Sequence, residues 1–241
     1  MPSIEENKFW DKEYNWSEHG DEWSDQASFC RIPYGEWKKS IVDFFIYPNI
    51  KEGATVLEIA PGHGRWTKYI LEKAGRVILS ELNPGCIDYC KKIFSNFNNV
   101  EYFVNDGKSL SFVKSESADF IWSYDSFVHM ERDVIEAYFE EFSRVLKKGG
   151  FAIIHHANRK DFFLKLGFLR KYGKNWRRFY NLISIGRNVS EDGRSAVSNR
   201  IIRNLAERSG FKIEYQINSW GPGNIYNSKC FNDYITKIVK I

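Results

Sequence analysis

An α/β fold, doubly wound about a largely parallel sheet, is what this sequence predicts, and three observations carry the prediction. Seven short apolar segments read as strands: Thr55–Ala60, Arg76–Ser80, Val100–Val104, Ala118–Ser123, Phe151–His155, Phe211–Ile217 and Tyr234–Val239. Segments of helical period alternate with the first five, the pattern of parallel strands covered on both faces. The third observation is the stretch Val56-Leu57-Glu58-Ile59-Ala60-Pro61-Gly62-His63-Gly64-Arg65-Trp66-Thr67, an apolar run that reaches an acid and passes through Gly-x-Gly into an amphipathic segment. Glycines at 62 and 64 let the backbone approach a ligand where a Cβ would clash, and the helix start behind them offers unpaired N–H groups. A dinucleotide site calls for a third glycine three residues after Gly64, and Thr67 stands there instead.

Taken in order, residues 1–49 form an aromatic arm and a cap helix. The arm carries Phe9, Trp10, Trp16, Trp23 and Phe29 without a clean period; in the helix, Trp37, Ile41, Phe44 and Phe45 recur at helical spacing until Pro48. Residues 50–241 then hold the sheet. A helix from Arg65 to Ala74 follows the first strand, and one from Gly85 to Phe97 follows the second, after Glu81-Leu82-Asn83-Pro84. The third strand runs into the turn Asn105-Asp106-Gly107. Beyond the fourth, a helix from Asp133 to Lys147 places Ile135, Tyr138, Phe142 and Val145 on one stripe, with Gly149-Gly150 as its stop. The alternation breaks at 158–195, a basic insertion that reads as a lid, with ten Lys/Arg against three acids. A helix from Ser198 to Ser209 stops at Gly210, and Gly221-Pro222-Gly223 interrupts the path to the last strand.

Composition narrows the function. No apolar run reaches the roughly eighteen residues of a spanning helix, and Met1-Pro2-Ser3-Ile4-Glu5-Glu6 lacks the marks of a leader, so a cytoplasmic protein is expected. Cys30, Cys86, Cys90 and Cys230 form no CxxC and no paired ligand spacing, which argues against a redox or zinc centre. A formal charge of +4 is too mild to argue for nucleic acid.

In an open α/β sheet, ligands sit beyond the carboxyl ends of the strands, where strand order reverses. Those ends carry Glu58 with Gly62 and Gly64, then Glu81, Asp106-Gly107, Ser123-Tyr124-Asp125 and His155-His156. An acid ending the second strand suits the two hydroxyls of a ribose. One after the third strand suits the amine of an adenine, and Glu58, or water held by it, suits an amino group. Together they describe an adenosine with an amino-acid-like tail.

Here the chain resembles the class I S-adenosylmethionine-dependent methyltransferases. The resemblance rests on Val56 to Gly64, Glu81, Asn105-Asp106-Gly107, the Leu146-Lys147-Lys148-Gly149-Gly150 stop and the last strand pair, and it spans Ile50 to Ile241. It implies a Rossmann-like seven-stranded sheet, mostly parallel with an antiparallel last strand. It also implies S-adenosyl-L-methionine held by Trp23, Glu58, Ala60, Gly62, Gly64, Trp66, Glu81, Leu82, Asp106, Gly107 and Tyr124. Ala60 departs from the family, which has a glycine there. Further motifs, Gly20-Asp21-Glu22-Trp23-Ser24, Asp125-Ser126-Phe127-Val128-His129, Ile154-His155-His156-Ala157-Asn158 and Asn218-Ser219-Trp220-Gly221, are similar to bacterial glycan O-methyltransferases of the mycobacterial polymethylated-polysaccharide type. The acceptor this implies is a small molecule or glycan, anionic or lipid-linked in one version; a homo-oligomer is compatible with it.

Methyl transfer from a sulfonium is an in-line displacement in which the protein aligns donor and acceptor and takes a proton from the acceptor. The candidates are Asp125, His129, His155 and His156. Asp125 and His129 share a face if their stretch is a helical turn. Alternation along a strand points one of His155 and His156 toward the site, and His156, nearer the open end, is the one expected there. A divalent ion is a further expectation: magnesium on Asp125 with the substrate's hydroxyls, or a transition metal on Asp125, His129 and His156. Three alternatives stand beside the O-methyltransferase. A nucleic-acid methyltransferase is motivated by the basic insertion, but Ser123-Tyr124-Asp125-Ser126 is not the Asn/Asp-Pro-Pro-aromatic clamp and no Pro-Cys nucleophile occurs. The others are a non-catalytic cofactor-binding module and a nicotinamide oxidoreductase, which Thr67 and Asp106 disfavour.

Overall fold

The computed structural model describes residues 24–158, 195 and 197–241. The aromatic arm as far as Trp23 and all of the basic insertion but its two end residues, Asn158 and Ser195, lie outside them. Seven strands form one sheet in the order β3-β2-β1-β4-β5-β9-β6. They are β1 (Thr55–Ile59), β2 (Arg76–Glu81), β3 (Val100–Val104), β4 (Ala118–Ser123), β5 (Leu146–His156), β6 (Phe211–Ile217) and β9 (Tyr234–Lys240). The first five pair in parallel, while β9 slots between β5 and β6 antiparallel to both. The predicted fold class, with its antiparallel last strand, is the one observed.

The two faces bury different sets, as strand alternation requires. One face presents Val56, Val77, Leu79, Phe120, Trp122, Ile153 and Ile235; it is covered by α2 (Tyr34–Ile41), α3 (Thr67–Leu71) and α4 (Pro84–Ile93). The other presents Leu57, Ile59, Ile78, Ile121, Ala152, Ile154 and Ile238; it lies under α5 (Arg132–Val145) and α6 (Asn199–Arg208). The stripe Ile135, Tyr138, Phe142 and Val145 of α5 is fully buried, as its period predicts.

Helix α2 belongs to the main core. Trp37 and Ile41 are wholly buried, and Trp37 packs 6.1 Å from Trp220 and 6.5 Å from Tyr124, centroid to centroid. A short two-stranded ribbon, β7 (Ser219–Trp220) with β8 (Tyr226–Asn227), clasps the helix from outside. Trp37 Nε1 donates to the Asn227 carbonyl at 3.2 Å, and Trp220 Nε1 donates to Ser40 Oγ at 2.9 Å. Paired indole N–H groups permit this burial, and truncating Trp37 would cost about 3–5 kcal/mol.

Local departures have physical causes. The cap helix does not run evenly to Tyr47; it loosens to a π turn over Val42–Ile46 and a 3-10 turn over Tyr47–Asn49. Part of the expected irregular arm is a helix, α1 (Ser24–Cys30). Gly149-Gly150 is not the stop of α5, which ends at Val145; Leu146 already pairs with Ala118, and the glycines lie inside β5 at a register shift. Gly149 has φ of +74°, and a Cβ on Gly150 would lie 2.9 Å from the Lys147 carbonyl, so the pair serves a bulge.

Candidate active site

Strand order runs one way from β1 through β2 to β3 and the other way from β4 to β5, so the crevice of a doubly wound fold opens between the ends of β1 and β4. On the first side, Glu81 ends β2 almost fully buried and gathers backbone donors. Its Oε1 accepts from Leu82 N at 2.7 Å and Asn83 N at 3.1 Å, and its Oε2 accepts from Gly62 N at 3.1 Å. The carboxylate thus ties the Gly-x-Gly loop to the end of β2. Ala60 N continues the ladder by donating to the Ser80 carbonyl at 2.8 Å.

The loop itself turns through left-handed backbone at Ala60 (φ +54°), Gly62 (+55°) and Gly64 (+79°). A side chain at 64 would be strained on that count alone, and its Cβ would lie 2.5 Å from the Phe94 ring. The glycine at 64 is therefore demanded by its left-handed backbone and by the Phe94 ring, just after α4, packed beneath the loop. Cys90 of α4 donates its thiol to the Gly62 carbonyl at 3.3 Å, a second latch. Its thiol is pushed far up by burial, which makes it inert.

Glu58 lies below the loop, wholly buried, and accepts from Thr67 Oγ1 at 2.6 Å. Burial pushes its carboxyl up to about 8; the Thr67 bond opposes this and the nearby Glu81 charge adds to it. Thr67, which stands where a dinucleotide site has glycine, is thus the partner of a buried acid. Asp106 caps its own turn, Oδ1 accepting from Ser109 N at 2.6 Å and Lys108 N at 2.9 Å; these bonds hold its carboxyl below the usual range. Asn105 Oδ1 accepts from Gly107 N at 2.8 Å, and Gly107 sits at φ +83° with Leu82 3.7 Å from where its Cβ would be. Trp66 and Tyr124 pack edge to face, 5.2 Å apart and nearly buried. Trp23 lies outside the described residues.

On the second side, Ser123 Oγ donates to the Ile59 carbonyl at 3.0 Å, joining the ends of β4 and β1, and meets Ser126 Oγ at 3.1 Å. Asp125 follows at φ +71°, in the left-handed region that, after glycine, Asn and Asp adopt most readily. Its carboxylate faces the Arg65 guanidinium at 3.9 Å, both side chains mostly buried. Residues 125–129 are consequently not a helical turn: the left-handed Asp125 precludes it, and His129 N closes a tight turn on the Ser126 carbonyl at 3.0 Å. The shared helical face expected for Asp125 and His129 does not form.

The neighbouring histidines diverge. His155 points to the α2 face, its ring stacked on Tyr124 at 4.2 Å with planes 7° apart, and its Nε2 is 3.6 Å from Asp233 Oδ2. His156 points the other way, fully buried. Its Nδ1 is 2.8 Å from the Ala157 carbonyl, so Nδ1 donates; Nε2 must then accept from Thr236 Oγ1 at 2.7 Å. Burial lowers its pKa to about 4. With both nitrogens engaged and no charge at neutral pH, His156 is placed as a core group, opposite to the expectation that it faces the acceptor.

The metal expectation finds no support in this donor set. No group of three or more His, Cys, Asp or Glu suited to an ion occurs among the described residues, and Asp125, His129 and His156 are not brought together. His156 has both ring nitrogens engaged, by Ala157 and Thr236, and Arg65 already places a cation beside Asp125. Asp233 is the residue that sequence reading overlooked. Its signal is an acid just before the last strand: His155 pairs with Ile235, and alternation puts position 233 on the same face as 235. Among the described residues no helix is long and apolar enough to cross a membrane.

Comparison with known proteins agrees with this geometry. Residues 56–150 match the model of the family described as "Methyltransferase domain". Over 101 residues the chain is 30% identical to phosphoethanolamine N-methyltransferase 3 of Arabidopsis thaliana, a match that takes in 42% of this chain and 21% of that protein. The chain thus spans about a fifth of the length of that curated relative. Among solved structures it is similar to a TehB-like S-adenosylmethionine-dependent methyltransferase from Corynebacterium glutamicum, with TM-score 0.58, 19% identity and coverage of 93% of this chain and 97% of that one. It is also similar to magnesium protoporphyrin IX methyltransferase from Synechocystis PCC 6803 with bound S-adenosylhomocysteine, with TM-score 0.57, 15% identity and coverage of 86% and 83%. Residues 56–150 are thus similar to a methyltransferase domain, and the chain shares the fold of these two solved methyltransferases.

Proposed function

We propose that the protein is an S-adenosylmethionine-dependent O-methyltransferase acting on a hydroxyl of a sugar, glycan or related small molecule. The observation that carries the proposal is the polar group at the ends of β4 and β5. Asp125, in left-handed backbone 3.9 Å from Arg65, which follows the glycine loop, and His155, stacked on Tyr124 and 3.6 Å from Asp233, are the ionisable groups gathered there. A hydroxyl is a poor nucleophile at neutral pH and needs such groups to receive its proton.

The residues present fit the cofactor. Glu81 at the end of β2, with Leu82 and Gly107 beside it, would take the ribose edge, and Asp106 the adenine edge. The loop from Ala60 to Gly64, over buried Glu58, would take the amino-acid tail. When bound, the cofactor supplies a methyl group activated on a sulfonium. The protein's share is to align it with the acceptor, exclude water and take the acceptor's proton.

The division into a cap (1–49) and a catalytic unit (50–241) with a lid at 158–195 belongs to the same proposal. Its support lies in the insertion's ends: Asn158 Oδ1 accepts from Asn199 N at 3.0 Å, and Ser195 N donates to the Val128 carbonyl at 2.7 Å. The second end thus lies beside the turn that carries His129, and the first is tied to the start of α6. The ten basic residues between them suit an anionic acceptor, such as a uronic acid or a phosphorylated or lipid-linked glycan.

The test is methyl transfer from labelled S-adenosylmethionine to a panel of nucleotide sugars, neutral and acidic short glycans, and phosphoethanolamine, with and without chelator. Transfer to a sugar oxygen, unaffected by chelator and weakened by salt, supports the proposal. Transfer to phosphoethanolamine nitrogen alone would overturn it in favour of the chemistry named for the plant relative.

A further inference from the structure

We propose that Asn105 is a positioning residue for the cofactor: held by Ser80 and Tyr138, it aims Asp106 at the adenine and so sets the preference of the site for an adenine base. This inference rests on the reading above, in which Asp106 takes the adenine edge, and adds the groups that aim it. The amide of Asn105 is engaged at both ends. Its Oδ1 accepts from Gly107 N at 2.8 Å, and its Nδ2 donates to Ser80 Oγ at 2.6 Å and to Tyr138 OH at 3.3 Å. Gly107 N can only donate, so it must face the amide oxygen, and the two hydrogens on the nitrogen then go to the two hydroxyls. The backbone N–H of Asn105 is also spent, on the Glu81 carbonyl at 2.8 Å. One residue thus joins the end of β2, the turn after β3 and the middle of α5.

Two features make this more than a turn closing on itself. The first is Tyr138. It is almost wholly buried in the stripe Ile135, Tyr138, Phe142 and Val145, where its hydroxyl is the one polar group and a phenylalanine would fill nearly the same space. A buried hydroxyl costs stability unless it is bonded, and the group it meets is the Asn105 amide. The second is that α5 grips the rest of the same loop. Lys108 Nζ donates to Asp133 Oδ2 at 2.8 Å, Leu110 N donates to Glu141 Oε2 at 2.7 Å, and Arg144 donates to the carbonyls of Leu110 and Val113, each at 2.8 Å. Residues 105–113 are therefore laid along α5 from its first turn, at Asp133, to its last, at Arg144.

Asp106 stands at the head of that loop, between Asn105 and Gly107. Its bonds from Lys108 N and Ser109 N both fall on Oδ1, so Oδ2 is the oxygen that an exocyclic amine would meet. Where Oδ2 lies depends on the plane of the turn, and the Asn105 amide sets that plane. An adenine presents an N–H to such an oxygen. A hypoxanthine presents a carbonyl in the same place, which sets lone pairs against the carboxylate and leaves the acid without its bond. Selective contacts of this kind need their groups held within about 0.5 Å by neighbours whose own hydrogen bonds are satisfied. Asn105, between Ser80 and Tyr138, is such a neighbour for Asp106.

The decisive measurement needs no acceptor: calorimetry on the full-length protein with S-adenosylhomocysteine and with S-inosylhomocysteine, in which an oxygen replaces the 6-amino group of the base. The unaltered protein is expected to bind the adenosine form about tenfold or more tightly. Asn105→Ala should bring the two affinities within about threefold of each other, chiefly by weakening the adenosine form. Tyr138→Phe, which removes a single oxygen, should cut the preference by about threefold. A change that merely loosens the fold weakens both ligands alike and leaves their ratio standing. A full preference retained in Asn105→Ala would therefore overturn the inference while leaving Asp106 at the adenine, and one retained in Tyr138→Phe would overturn the part given to α5. An unaltered protein that binds the two forms equally would overturn the Asp106 reading and the inference with it. If Asn105→Ala does not fold, Tyr138→Phe and Ser80→Ala decide, and a full preference in both would overturn the inference.

Discussion

At the ends of β2 and β3 the acids are answered by backbone. Glu81 accepts from three main-chain N–H groups, and Asp106 and Asn105 close their own turns. At the ends of β4 and β5 two ionisable side chains are instead met by side chains from distant parts of the chain: Asp125 by Arg65, and His155 by Asp233 and Tyr124. The first half is a set of local motifs, each acid with its partners within a few residues or on the neighbouring strand. The second exists only once the sheet is assembled. A shared donor cradle suits the first kind of construction, and an acceptor pocket that must differ between relatives suits the second.

The sharpest way to break this contrast is Glu81→Ala. It removes a charged acceptor from three partly buried N–H groups, which costs about 3 kcal/mol of folding stability. It also unlatches the glycine loop, so S-adenosylhomocysteine affinity should fall about a hundredfold or more by calorimetry. Retained affinity would mean that the cradle is elsewhere. The Glu58 carboxyl comes next. Its folded pKa, near 8, lies above the ordinary 4.5, so its contribution to stability is present below pH 4.5 and is lost as pH rises toward 8. The change is on the order of 4 kcal/mol and should be absent in Glu58→Gln. Denaturant titrations of both proteins between pH 4.5 and 8 read it directly. A cationic cofactor pulls the same group toward its charged form, so wild-type affinity for S-adenosylmethionine should rise over that window.

His156 tests the other half. Its folded pKa, near 4, lies below the ordinary 6.5, so its contribution is present above pH 6.5 and is lost as pH falls toward 4. The loss is on the order of 3 kcal/mol, carried by a group that should leave cofactor binding untouched. Thr236→Val strips the acceptor nitrogen of its donor and should cost about 1–3 kcal/mol with binding intact. Loss of binding in that variant at a pH where the protein is folded would return His156 to the site.

The contrast also explains what the sequence discloses. Glu81, the glycine loop and Asp106 are legible because each motif contains its own reason: a strand, an acid at its end, a turn. The choice between His155 and His156 is not, because alternation says only that they face opposite ways. Which face holds the site depends on where α2 and β9 pack. Asp233 is invisible for the same reason, lying 78 positions from His155 in a partner set by antiparallel register. Gly149-Gly150 shows the reverse error: glycines after a helix suggest a stop, whereas here they serve a bulge that depends on the β4 pairing. At Gly64 the residue type is legible but one of its causes is not, since the ring that meets a side chain there is Phe94, thirty positions on and just after α4.

Ala60 gives the smallest effect and the most local one. It holds φ of +54° at the entrance to the loop, a conformation that costs a residue with a Cβ about 1–2 kcal/mol and costs glycine little. Its N–H is spent on the Ser80 carbonyl, so the strain is held in place by the sheet. Ala60→Gly removes that strain while giving the unfolded chain more freedom, and the two largely offset, leaving a gain of about 0.5 kcal/mol or less in chemical denaturation. Cofactor affinity should change by less than about twofold if the cradle is set by Glu81 and the Gly62 N–H. A large gain in affinity would show that the alanine methyl intrudes on the cofactor, and that the departure from the family's glycine weakens binding at the one place where the cradle breaks its own pattern.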